Sequence, residues 1–127
     1  MPTFGVSTIE AIKGRQVFLE LVINGVGQLQ SFENELQDVY KAELRSILTR
    51  MNYVADMVSL PKEKFREITP KGERVNEFEF KTKNLRVYCI KIPNGKLVVL
   101  CGFKNSQKAD ISSFRGLKKQ YLKTLEQ

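Results

Sequence analysis

The chain has 127 residues, 42% of them apolar, so one packed domain over residues 1–127 is expected rather than disorder. Histidine is absent and only two cysteines occur, which excludes His-based triads, His-ligated metals and zinc-site spacings, and no cofactor is expected. No run of 18 apolar residues and no secretory signal pattern is present, so the sequence predicts a cytoplasmic protein without a membrane span.

The net charge of +7 is concentrated in the segment 62–108. That segment holds 12 basic and 5 acidic side chains, whereas residues 1–61 hold 5 basic and 7 acidic ones. A positive surface attracts polyanions, because each phosphate that it neutralises releases condensed counterions. A solvated surface that keeps the protein soluble accounts for the same charge equally well.

The N-terminal part of the chain contains one clear strand. Residues 1–15 are an extension whose pattern fits either a short strand around Phe4 or a helical turn around Ile9. Residues 16–24 predict a strand, because apolar side chains alternate along one face: Val17, Leu19, Leu21 and Ile23.

A helical pattern follows from Gln28 to Met57, where apolar residues recur at steps of three and four. Ser31 fits an N-cap, since acidic residues follow it in the first turn. Thirty residues is long for one helix in a small domain, so a break near Asn52, giving a helical hairpin, is the alternative. Pro61 ends the helical structure in either case.

The C-terminal half predicts a strand meander and a closing helix. Residues 62–74 read as a loop with a short strand at 65–68, and VNEFEFKT (75–82) as a half-buried strand. Apolar strands follow at 85–92 and 97–103, then a helix at 110–125. The predicted fold class is α+β: a small antiparallel sheet, made of this meander and the N-terminal strand, packed on a helical hairpin, with a C-terminal helix.

The turns of the meander predict which strand residues lie opposite one another. A turn centred on Lys83-Asn84 places Arg86 opposite Lys81. A turn centred on Asn94-Gly95 places Arg86 opposite Phe103 and next to Lys104. Three cations from adjacent strands would then converge at one end of the sheet. Because arginine grips phosphate with two parallel hydrogen bonds, this cluster favours a phosphate site, with a solvated rim as the alternative.

The same register places Cys89 opposite Cys101. A cross-strand disulfide is conceivable at that spacing, but two buried thiols in a reducing compartment are the favoured interpretation.

The segment 77–122 resembles the C-terminal half of RelE/ParE-superfamily toxins of type II toxin–antitoxin systems, and most closely their HigB-like branch. The pieces that carry the resemblance occur in the family's order and spacing: EFE, LRVY, NGK, LVVL and GFKNSQK. Upstream, KFREI at 64–68 is similar to the segment before the family's meander, and the resemblance extends loosely back to residue 16.

The resemblance implies a RelE-like fold and a toxin that inhibits growth. Such toxins are metal-independent endoribonucleases that cut mRNA at the ribosome, and a cognate antitoxin protein masks their site. In the implied reaction the RNA 2′-hydroxyl attacks the adjacent phosphorus, and basic side chains stabilise the developing charge. The implied partners are therefore an antitoxin, mRNA and the ribosome.

The resemblance also implies roles for individual residues. Arg86 would clamp the scissile phosphate, and Lys104 would stabilise the transition state. Lys81 or Lys83, by position rather than by motif, would transfer a proton. Tyr88 would stack on a base, although a core aromatic is the favoured alternative. The remaining expected contacts to RNA are Lys71, Arg74, Lys83, Gln107 and Lys108.

Two residues depart from the family pattern. Asn105 stands where the second member of a basic pair is expected, and Glu79 stands where a cation is expected. These departures keep open a relative that binds without cleaving, either a ParE-like toxin directed at gyrase or a basic RNA-binding module. A domain whose basic face is incidental is the third interpretation.

Overall fold

The computed structural model of the protein describes residues 2–126. Its strands are β1 (Phe4–Thr8), β2 (Val17–Ile23), β3 (Val26–Gly27), β4 (Phe65–Glu67), β5 (Glu77–Lys81), β6 (Leu85–Ile92) and β7 (Gly95–Phe103). Its helices are α1 (Gln28–Glu35), α2 (Asp38–Ala55) and α3 (Gln107–Leu125). None of the helices within these residues combines the length and the apolar character needed to cross a membrane.

The strands form one open, mixed sheet of seven strands in an α+β fold. The order is β1-β2-β7-β6-β5-β4, with the short β3 paired to β2. The predicted meander of β5, β6 and β7 and the closing helix are confirmed. The expectation of a purely antiparallel sheet is wrong, because β2 runs parallel to β7. A parallel pair needs a long crossover connection, and the chain between β2 and the meander, which carries α1 and α2, supplies it.

The N-terminal extension contains the suggested short strand, followed by a hydrogen-bonded turn that is not part of a helix. Residues Phe4–Thr8 pair antiparallel with β2 as an outer strand. Immediately afterwards the Ile12 amide donates to the Ile9 carbonyl at 3.1 Å, closing a turn that buries both isoleucines.

The predicted helical segment consists of two helices, and the break between them lies earlier than Asn52. Leu36 and Gln37 are extended, with ψ angles of 132° and 147°, and separate α1 from α2. Asn52 lies inside α2, where its side-chain oxygen accepts a hydrogen bond from the Lys13 amide at 2.9 Å. A polar residue that looked like a helix breaker therefore fastens the N-terminal extension to the helix.

The start of α1 is capped from a neighbouring strand rather than by Ser31. The helix begins at Gln28, and the Glu20 carboxylate accepts the amides of Leu29 and Gln30, each at 3.0 Å. Gly27 precedes the helix, and a Cβ there would collide with that carboxylate. The predicted Ser31 cap is wrong because a carboxylate close in space, nine and ten residues from the two donors in sequence, satisfies these amides first.

Each face of the sheet has its own apolar core. The face that carries α1 and α2 buries one cluster, which includes Phe18, Ile47, Met51, Phe80, Val87 and Val98. The opposite face, covered by α3, buries Leu21, Tyr88, Ile90, Leu97, Val99 and Phe114. Because both faces of the central strands are covered, β6 and β7 are apolar on both sides.

Candidate phosphate-binding site

The β5–β6 turn brings the first two predicted site residues together. Lys81 and Arg86 lie directly opposite each other, which confirms the register expected for this turn. Their Cβ atoms are therefore about 5 Å apart on the face of the sheet that carries α3. Lys81 is partly buried, and Arg86 is only 5% exposed.

A carboxylate on α2 holds this turn in place. Glu43 accepts hydrogen bonds from the Thr82 hydroxyl at 2.7 Å and from the Asn84 amide and side chain at 2.8 and 2.7 Å. Burial raises the pKa of Glu43, but these hydrogen bonds and the charge of Lys83 outweigh it and lower that pKa below its usual value. Glu43 therefore remains ionised near neutral pH and fixes the turn to the helix.

The register predicted for the β6–β7 hairpin is wrong by one residue. Arg86 lies opposite Gly102, not Phe103, and Phe103 lies opposite Leu85. The hairpin turns at Pro93-Asn94 instead of Asn94-Gly95, with Asn94 at φ 62°, and a bulge after Tyr88 shifts the pairing back by one. This shift matters because it places Phe103 on the face opposite Arg86.

The predicted opposition of the two cysteines is also wrong, for the same reason. Cys89 lies opposite Val98, and Cys101 lies opposite Val87. Both are free thiols, and burial raises the pKa of each. The favoured interpretation is confirmed in that no disulfide forms: Cys89 is buried and Cys101 is partly buried.

The third predicted cation reaches the same end of the sheet. Lys104 begins a short 3-10 turn, Lys104–Ser106, which follows β7. Its amide donates to the Asn84 carbonyl at 2.8 Å, so its backbone is tied to the turn that carries Lys83. The Lys104 side chain is exposed. Lys81, Arg86 and Lys104 thus come from three adjacent strand ends, as the sequence predicts.

Arg86 is buried without a carboxylate to pair with. One terminal nitrogen, Nη1, donates to the main-chain carbonyls of Thr82 and Leu85, the latter at 2.8 Å. Its Nε is buried and has no hydrogen-bond partner within residues 2–126. A buried donor without an acceptor is unfavourable. An anion that binds to this guanidinium from outside would supply the missing acceptor.

The approach of α3 to the site depends on Gly102. A Cβ at that position would collide with the carboxylate of Asp110, which in turn accepts the Ser106 hydroxyl at 2.7 Å. Glycine opposite Arg86 therefore allows the first turn of α3 to lie directly against β7.

Glu79, the anion that departs from the family pattern, is neutralised within the protein. It is fully buried and accepts Arg66 Nε at 2.9 Å and the Gln107 side-chain amide at 2.6 Å. Its charge is therefore compensated beside the cation cluster. The same hydrogen bond places the Gln107 amide on Glu79, although the sequence analysis expected it on the RNA backbone.

The expected stacking of Tyr88 on a base is corrected by the structure. The tyrosine is fully buried, and its ring stacks on Phe114 of α3 with centroids 5.5 Å apart. Burial raises the pKa of its hydroxyl, which has no hydrogen-bond partner in the described residues. The alternative interpretation, a core aromatic, is the one that the structure supports.

The remaining predicted contacts lie in two places. Lys83 and Lys108 are exposed beside the cation cluster, in the β5–β6 turn and the first turn of α3. Lys71 and Arg74 are exposed in the loop between β4 and β5, which joins the opposite end of β5 from Lys81. The structure therefore does not bring these two residues to the site.

Two residues on α2 that support the site were missed by sequence reasoning. Glu43 clamps the turn, and Arg50 Nη1 donates to the Lys81 carbonyl. They are seven residues apart, so they lie two turns apart on one helix face. The spacing of this carboxylate and this guanidinium was the sequence feature that could have identified them as a pair on one helix face. Only the fold shows which strand end they contact.

Within residues 2–126 no group of three or more cysteine, aspartate or glutamate side chains is arranged to hold a metal ion. Comparison of the chain with models of known protein families, with curated proteins and with solved structures finds no match.

Proposed function

We propose that the protein is a toxin of the RelE/ParE superfamily, HigB-like in type, that cleaves mRNA at the cluster of Lys81, Arg86 and Lys104. The observation that carries the proposal is the direct pairing of Lys81 with Arg86, together with the hydrogen bond that ties Lys104 to the same turn. None of the three pairs with a carboxylate among the described residues. Such a cluster is suited to an external phosphate.

The chemistry assigned to the cluster is phosphodiester cleavage by the RNA's own 2′-hydroxyl. That hydroxyl attacks phosphorus, the 5′ oxygen departs, and a cyclic phosphate remains. Arg86 and Lys104 stabilise the negative charge that develops on the phosphoryl oxygens, and Lys81 takes part in proton transfer. Lys83 and Lys108 contact neighbouring phosphates, as their exposure at the rim allows.

The rigidity of the backbone around the cluster supports this proposal. Glu43 accepts three hydrogen bonds from the β5–β6 turn, and Asn84 accepts the amide of Lys104. Cations on a fixed frame do not need to reorganise when charge develops, which is the main source of electrostatic catalysis. The two-helix segment followed by the β5–β7 meander supports a RelE-like arrangement.

The partners and location belong to the same proposal. An antitoxin protein covers the site, mRNA is cut at the ribosome, and the protein acts in the cytoplasm.

A non-cleaving relative is the second candidate, and two features favour it. Arg86 is 5% exposed and its Nη1 already serves two main-chain carbonyls, so less of the guanidinium is free for a transition state. Asn105 also lacks the charge of the family's second basic residue. Either a gyrase-directed toxin or an RNA-binding module fits these features.

Expression of the intact chain in cells, followed by mapping of mRNA 5′ ends, tests the proposal. Wild-type protein should arrest growth and create discrete new 5′ ends, and Lys81→Ala and Lys104→Ala should remove both effects. Lys91→Ala is the matched control, because Lys91 is an exposed lysine near the other end of β6. Circular dichroism of each purified variant confirms that it is folded.

The outcome separates the candidates. New mRNA ends that persist in Lys81→Ala, Lys104→Ala and Arg86→Lys would reject the cluster as the nuclease site. Growth arrest with intact mRNA and altered DNA supercoiling indicates the gyrase-directed alternative. A folded wild-type protein that neither arrests growth nor binds RNA contradicts both candidates.

A further inference from the structure

Lys96 is a buried lysine with no carboxylate near it. This β7 residue is 8% exposed, and it makes no ion pair within the described part of the chain. Its ammonium lies 4.8 Å from the ring centroid of Phe78 and 5.8 Å from that of Phe65. The aromatic faces attract the cation but accept no strong hydrogen bond, so its three donors remain available.

The environment of Lys96 is unfavourable for a charge. Burial, together with the nearby Lys91, lowers the pKa of Lys96. Largely buried lysines are usually paired, because an ammonium loses part of its hydration when it lies against an apolar region. An anion bound beside Lys96 would supply the missing partner.

Lys96 lines a cavity of about 290 Å³ between the C-terminal end of α2 and β4. The other walls carry apolar side chains, including Val54, Met57, Val58 and Phe65, together with the polar residues Gln16 and Ser59. Met57 and Val58 are 62% and 48% exposed, so the cavity opens beside an apolar surface. It is therefore a short apolar cleft with one buried cation.

We propose that this cleft binds a small carboxylic acid with an apolar chain, its carboxylate on Lys96 and its chain against Met57 and Val58. A single ammonium matches a monoanion, whereas a phosphate dianion is normally held by several donors. A volume near the lower limit of ligand cavities suits a short chain. The site lies away from the Lys81–Arg86–Lys104 cluster and does not depend on the function proposed for it.

Hexanoate is the probe, and methyl-labelled methionine is the reporter. The chain has three methionines, of which Met57 lines the cleft and Met51 is fully buried in the core as an internal reference. Hexanoate should shift the Met57 methyl signal in a saturable way with a dissociation constant on the order of 1 mM, and leave Met51 unmoved. Hexanamide, which has the same shape but no charge, should bind at least about tenfold more weakly.

Two variants isolate the role of the ammonium. Lys96→Met keeps the length and apolar stem of the side chain and should weaken hexanoate binding by about tenfold or more. Lys119→Met changes an exposed lysine of α3, on the opposite face of the sheet, and should leave binding unchanged. The core reporter Met51 shows whether each variant retains the wild-type packing.

Three results would overturn the proposal. One is a Met57 signal that does not respond to hexanoate, and another is equal binding of hexanoate and hexanamide. The third concerns the source of the carboxylate, tested with the peptide acetyl-Leu-Glu-Leu-amide. Lys96-dependent binding of this peptide about tenfold tighter than hexanoate would assign the cleft to an acidic side chain of a partner protein instead.

Discussion

The protein buries positive charge on the α3 side of the sheet in two different ways. Near the middle of α3, Lys118 is 3% exposed and donates to Glu77 at 2.8 Å, to Glu73 at 3.2 Å and to the Val75 carbonyl at 2.7 Å. Arg115 donates to the other oxygen of Glu77 at 2.9 Å. At the end of the sheet, Arg86 is almost as buried as Lys118 but contacts only main-chain carbonyls and leaves one donor unpaired.

The difference separates cations that hold the fold together from a cation that is available to a ligand. The Glu77 network, which consists of Glu77, Glu73, Arg115 and Lys118, contains an acceptor for its cations and joins α3 to β5 and the loop before it. The cluster of Lys81, Arg86 and Lys104 contains no carboxylate acceptor. A buried ion pair is costly to break but not necessarily stabilising overall, whereas an unpaired cluster should become more stable when an anion binds.

Breaking the Glu77 network should produce the largest loss of stability. Glu77→Ala removes the shared acceptor of Arg115 and Lys118 and leaves a buried ammonium with only Glu73 as its anionic partner. Because Glu73 remains, we expect the lower end of the usual range, a loss of about 3 kcal/mol in the free energy of unfolding measured with urea.

The exposed pair of Lys41 and Asp38 provides the control for this loss. Their charged atoms are 3.8 Å apart within one helix, so Lys41→Ala should leave the unfolding free energy unchanged within error. Equal effects of Glu77→Ala and Lys41→Ala would mean that the Glu77 network does not hold α3 in place.

Replacing Gln107 should have an intermediate effect. Gln107→Leu removes one of the two side chains that donate hydrogen bonds to the buried Glu79 carboxylate, while Arg66 remains. An acceptor left unsatisfied in the interior costs about 1–3 kcal/mol, and we expect a urea-unfolding loss near the middle of that range. Lys108→Ala, at the exposed neighbouring position, should be neutral. Unchanged stability in Gln107→Leu, combined with weaker RNA binding, would instead favour the direct RNA contact expected from the sequence.

Inorganic phosphate should stabilise the protein through the unpaired cluster. At a phosphate concentration of about ten times the dissociation constant, the expected gain is about 1.4 kcal/mol, measured by thermal unfolding. Lys104→Ala should lose most of this gain, and Lys91→Ala should keep it, because Lys91 lies away from the cluster. If phosphate stabilises wild type and Lys104→Ala equally, the effect is a general salt effect and the comparison between the two regions fails.

The contrast between these regions also shows how far the sequence alone could predict the site. The Lys81–Arg86 pairing was predictable because a short polar turn between two clear strands determines the register locally. The partner of Arg86 on β7, which is Gly102 and not Phe103, was not predictable, because it depends on a bulge inside β7. Bulges leave little signal in an apolar run, since both faces of such a strand are buried.

The polar networks were harder to predict than the strands. In VNEFEFKT the alternation indicates phenylalanines inside and glutamates outside, yet Glu77 and Glu79 are both fully buried. Their burial depends on ion pairs with Arg66, Arg115 and Lys118, which come from other elements. No local sequence pattern shows that these residues lie close to the two glutamates. The cap of α1 by Glu20 was missed for the same reason.

The smallest expected effect concerns Glu43 and depends on pH. Its folded-state pKa is lowered below the usual value of 4.5, so its ionised form stabilises the fold. That stabilisation is fully present above pH 4.5 and is lost as the pH falls through the lower, folded-state pKa. Glu43→Gln should therefore be less stable than wild type by about 1 kcal/mol at pH 7, and the difference should shrink toward zero in acid. Urea unfolding of both proteins at several pH values from neutral to strongly acid measures this difference. Glu63→Gln serves as the control, since Glu63 is exposed in the segment before β4 and lies outside the turn contacts. A difference that stays constant with pH would mean that Glu43 acts through packing, and that its charge does not hold the turn beneath Lys83.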